Sequence, residues 1–171
     1  MKSLPESIRE LCSALSDNAH HLQAHAERFL SCADAETMLG LEVTKQKAEV
    51  YQKAYGDLLV SLLATLEHAD TVASSLSCAV SQADAPEHEP YERAIYQKWE
   101  QYERYRAMII HYLESTRSFV DPRAAQKELP YVRLVGYTRD LAHNARVYAE
   151  EFPFDFPTDS CQTNRYEPPR R

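Results

Sequence analysis

The sequence predicts an all-α protein, an elongated antiparallel bundle of four main helices, and three observations carry that prediction. Apolar residues recur at alternating spacings of three and four over four separate stretches, as one face of a helix requires. Glycine is scarce, three in 171 residues, which leaves too few for a phosphate-cradling loop, a many-hairpin sandwich or a βαβ sheet. The prolines punctuate the periodic stretches and do not interrupt them. An apolar share of 44% supports one core, and the length leaves no room for two enzyme-sized lobes.

The first helix spans residues 5–31, with Pro5 in its first turn, on the series Leu4, Ile8, Leu11, Leu15, Asn18, Leu22, His25, Phe29. Cys12, Ala19, Ala26 and Leu30 broaden the stripe. Asn18 and His25 are polar residues in this seam, seven apart. They read as a half-buried pair hydrogen-bonded at one bundle layer, or as a device that fixes helix register.

The second helix covers residues 37–82 and carries the best heptad: Tyr55, Leu59, Leu62, Leu66, Ala69, Ala73, Leu76, Val80. Gly40 and Gly56 are its weak points, and Pro86 and Pro90 close it. At ~1.5 Å per residue it is about 60–65 Å long, against roughly 40 Å, 45 Å and 33 Å for the first, third and fourth helices. It either breaks at a glycine or leaves an overhang whose apolar stripe needs another chain. Self-association or a helical partner, met through Leu59, Leu62 and Leu66, is the expectation.

The third helix, residues 91–120, follows Tyr91, Ile95, Trp99, Tyr102, Tyr105 or Arg106, Ile109, Leu113, Thr116 and Val120. Tyr91, Tyr96, Trp99, Tyr102 and Tyr105 are interleaved with charges, but Glu92, Glu100 and Glu103 cancel Arg93, Lys98 and Arg104. That composition suits a protein interface better than a nucleic-acid platform. Asp121-Pro122 starts a short helical turn near 122–128, which Pro130 ends.

The fourth helix, residues 130–151, follows Leu134, Thr138, Leu141, Ala145, Tyr148 and Phe152. Residues 1–151 then form the bundle domain and 152–171 a Pro-rich irregular tail. Phe152, Phe154 and Phe156 in that tail serve either as a cap folded over the bundle or as a detachable linear motif for a partner.

The net charge of −7 divides into −8 over residues 1–91 and +1 over residues 92–171, which disfavours generic binding to nucleic acid or anionic lipid. Arg123, Lys127, Arg133, Arg139 and Arg146 complement that acidic front half or offer a dock for an acidic partner. Cys12, Cys32, Cys78 and Cys161 lie too far apart for a zinc knuckle or a redox dithiol. The N-terminus has no apolar leader, and the longest nearly uncharged run, Leu58 to Leu66, falls well short of the ~20 residues that span a bilayer. The expectation is a soluble cytoplasmic protein with reduced thiols and no transmembrane segment.

For chemistry, the Glu-x-x-His spacing of di-metal bundles is absent, whereas Asp-x-x-His occurs as Asp17/His20 and Asp140/His143, and His21 and His25 are four apart. All but His25 fall off the apolar stripes. No nucleophile elbow, catalytic triad or cofactor motif is present. The sequence therefore predicts a non-catalytic interaction protein, an adaptor, scaffold or assembly subunit without a cofactor. A metal-binding bundle enzyme or sensor using those His and Asp residues is the alternative, and a membrane-associated helical dimer the third.

Overall fold

The computed structural model describes residues 4–32, 45–81, 92–117 and 130–154. These form four helices and no strand: α1 Leu4–Leu30, α2 Lys45–Ser81, α3 Glu92–Thr116 and α4 Pro130–Glu151. The fourth matches its expected bounds, and the first is displaced by one residue. Residues 37–44, Gly40 among them, the turn at 122–128 and the tail beyond Phe154 lie outside the described residues. α2 runs unbroken through Gly56.

Long-range contacts fix the topology. Ile8 and Cys12 near the start of α1 share a cluster with Leu76 late in α2, with Ile95 and Trp99 early in α3, and with Phe154 just beyond α4. At the other end, Tyr55 of α2 bonds Thr116 of α3, and Tyr112 of α3 bonds Thr138 of α4. Consecutive helices are therefore antiparallel, and α1 closes the ring against both α2 and α4.

Side-chain size sets how closely the helices approach. α1 buries Cys12, Ala19 and Ala26, and α4 buries Ala142, Ala145 and Ala149, and these two helices have the most extensive contact in the bundle. Small residues let the backbones come near, so that the Ser16 hydroxyl donates across the seam to the Ala149 carbonyl at 2.6 Å. α3 instead buries Tyr102, Tyr105, Ile109 and Tyr112, and these large side chains hold it further from α2 and α4.

Burial on α2 runs from Tyr51 to Leu76, about 38 Å of helix, which is close to the length of α1. Over this span the chain covers its own stripe; Val80 lies outside the residues whose side chains are described. Leu62 is fully buried, and Leu59 and Leu66 pack half-buried on the core, which corrects the expectation that this stripe seeks another chain.

The domain edge at residue 151 also needs correcting. The Phe152 amide donates to the Tyr148 carbonyl at 2.9 Å, continuing the last turn of α4 and turning the ring inward. Phe152 is fully buried in the main core, and Phe154 is nearly so against the α1 N-terminal cluster. Both belong to the core and are not detachable contacts; Phe156 lies outside the described residues.

Candidate functional site

The interior is crossed by tyrosine hydroxyls that each end on a built partner. Tyr105, fully buried, donates to Asn18 Oδ1 at 2.7 Å. Asn18 Nδ2 in turn meets the Thr65 carbonyl at 2.9 Å and His68 Nδ1 at 3.0 Å, so the amide uses both hydrogens. Tyr55 donates to the Thr116 hydroxyl, which donates to the Tyr112 carbonyl at 2.8 Å. Thr138 gives its one hydrogen to the Leu134 carbonyl at 2.7 Å, which makes Tyr112 the donor in the 2.7 Å Tyr112–Thr138 bond. Burial raises the pKa of Tyr55, Tyr105 and Tyr112 above the ordinary tyrosine value. Tyr102 is pushed up to about 12, by burial first and then by its bond to the Asp70 carboxylate.

These bonds revise the expected tyrosine face. Tyr102 and Tyr105 point into the bundle and Trp99 is half-buried, because positions 99, 102 and 105 lie on the inward stripe of α3. The Tyr105 ring packs edge-on against Phe152 at 5.3 Å and Tyr148 at 5.5 Å. Tyr96 is exposed, and Tyr91 lies outside the described residues.

Asn18 is a buried, hydrogen-bonded seam residue, but it does not pair with His25. The buried Nδ1 of His25 has no hydrogen-bond partner, and its pKa is lowered by burial first, then by Arg28 and His21. His25 lines a cleft of about 170 Å³ between α1 and α2, with Arg28, Phe29, Cys32, Asp57 and Ser61 also on its wall. The Cys32 thiol on this cleft is bonded to the Arg28 carbonyl at 3.8 Å. Asp17, His20, His21, Asp140 and His143 are exposed on α1 and α4, which are neighbours. Among the described residues no group of three or more His, Cys, Asp or Glu is arranged to hold a metal ion. Within the same residues no helix is long and apolar enough to cross a membrane.

The other notable feature of the surface is the outer face of α2. Val60 is 70% exposed and Leu63 57%, and one helical turn on either side lie Gly56 and the exposed Ala64. An ideal Cβ built at Gly56 would touch nothing within 4 Å. Sequence reasoning passed over this face because one inward stripe already accounted for Tyr55, Leu59, Leu62 and Leu66. The signal was nonetheless present, since the run Leu58-Leu59-Val60-Ser61-Leu62-Leu63 holds more apolar residues than a single stripe can use. Comparison with family models, curated proteins and solved structures finds no match for the chain.

Proposed function

We propose that the chain is a non-catalytic helical interaction protein of the cytoplasm, an adaptor or assembly subunit, which binds a protein partner through the outer face of α2. The observation that carries this reading is the pair Val60 and Leu63, large apolar side chains more than half exposed on one continuous helical face. Lone exposed apolar residues are common, but a contiguous pair at helical spacing has the form of an anchor for another helix. The pair sits on a helix whose opposite side is locked into the core by Tyr55, Leu62 and Ala69, so the face is presented rigidly. Tyr96 and Tyr137 are secondary contact points, exposed on α3 and α4.

The test is a photo-reactive residue in place of Leu63 in the native cell, with Val60→Glu as the control. A discrete adduct that disappears in the Val60→Glu background is expected. No adduct from this position, or one indifferent to Val60→Glu, would overturn the assignment.

A further inference from the structure

We draw no further inference here: the strongest candidate, the cleft between α1 and α2 beside His25, carries nothing, because Arg28 and Asp57 set opposite charges on its wall and no side chain there selects one class of ligand.

Discussion

Asn18 accepts the Tyr105 hydroxyl at 2.7 Å and so joins α1 to α3, two helices at opposite corners of the bundle that otherwise touch little. Both side chains are buried, and neither leaves a polar atom unspent. Because His68 Nδ1 accepts from the same amide, the imidazole carries its hydrogen on Nε2. A buried amide bonded to α2 and α3 at once selects one rotation of α1 against both, which is a specificity device at least as much as a source of stability.

Replacing Asn18 by Leu strands the Tyr105 hydroxyl in an apolar layer and is expected to cost about 2–4 kcal/mol, read from urea unfolding. Tyr105→Phe alone costs about 1–2 kcal/mol, since it leaves Asn18 Oδ1 unpaired. The double variant falls short of the sum. Strict additivity would show that the two groups are not coupled.

A chain ending at Glu151 loses the burial of Phe152 and Phe154, and a chain ending at Phe154 keeps it. The shorter form is expected to be about 3–5 kcal/mol less stable, the usual effect of emptying a core phenylalanine site. Equal urea midpoints for the two forms would contradict the placement of these rings. Phe152→Ala in the full chain gives the same sign with all other contacts kept.

Alkaline titration reads the buried hydroxyls. Folded Tyr102 holds its proton up to about 12 against 10.0 for an ordinary tyrosine, and folded Cys12 up to about 11 against 9.0. Each group is neutral when protonated, so above its ordinary value the unfolded chain releases a proton that the folded chain keeps. The stability these two groups contribute is intact below pH 9 and falls from there to about pH 12. Urea midpoints that stayed level over this range would refute the burial of these groups.

At the acid end the sign comes from His25. Its folded pKa lies below the ordinary 6.5, by burial first and then by the positive field of Arg28 and by His21. Below pH 6.5 the unfolded chain therefore binds a proton that the folded chain resists, and stability contributed above that pH is lost as pH falls. His25→Gln is expected to flatten this part of the stability profile. An unchanged acid limb would assign it to other groups.

Much of the fold was legible because burial writes its period into the chain. The series Ile8, Leu15, Leu22, Phe29 and the series Leu134, Thr138, Leu141, Ala145 each fall on a buried face. Periodicity gives the inward direction of a residue but not the distance to the facing helix. The small residues of α1 and α4 and the tyrosines of α3 therefore looked alike as seam positions, although the first draw helices together and the second hold them apart. The same blindness assigned Tyr102 and Tyr105 to a docking surface, because a hydroxyl in a sequence does not reveal whether Asn18 or Asp70 waits for it. Val60 and Leu63 were missed for the converse reason, as a strong stripe hides the apolar residues it does not need.

The pairing of α1 with α4 bears on how the chain is made. A ribosome delivers α1 first and α4 last, and the Ser16 hydroxyl waits for a carbonyl 133 residues further on. Until then α1 packs mainly on α2, and the Ser16 side of the helix lacks its α4 neighbour. The seam between the first and last helices of the bundle thus stays open through the synthesis of α2 and α3, and closes once Phe152 has cleared the exit tunnel.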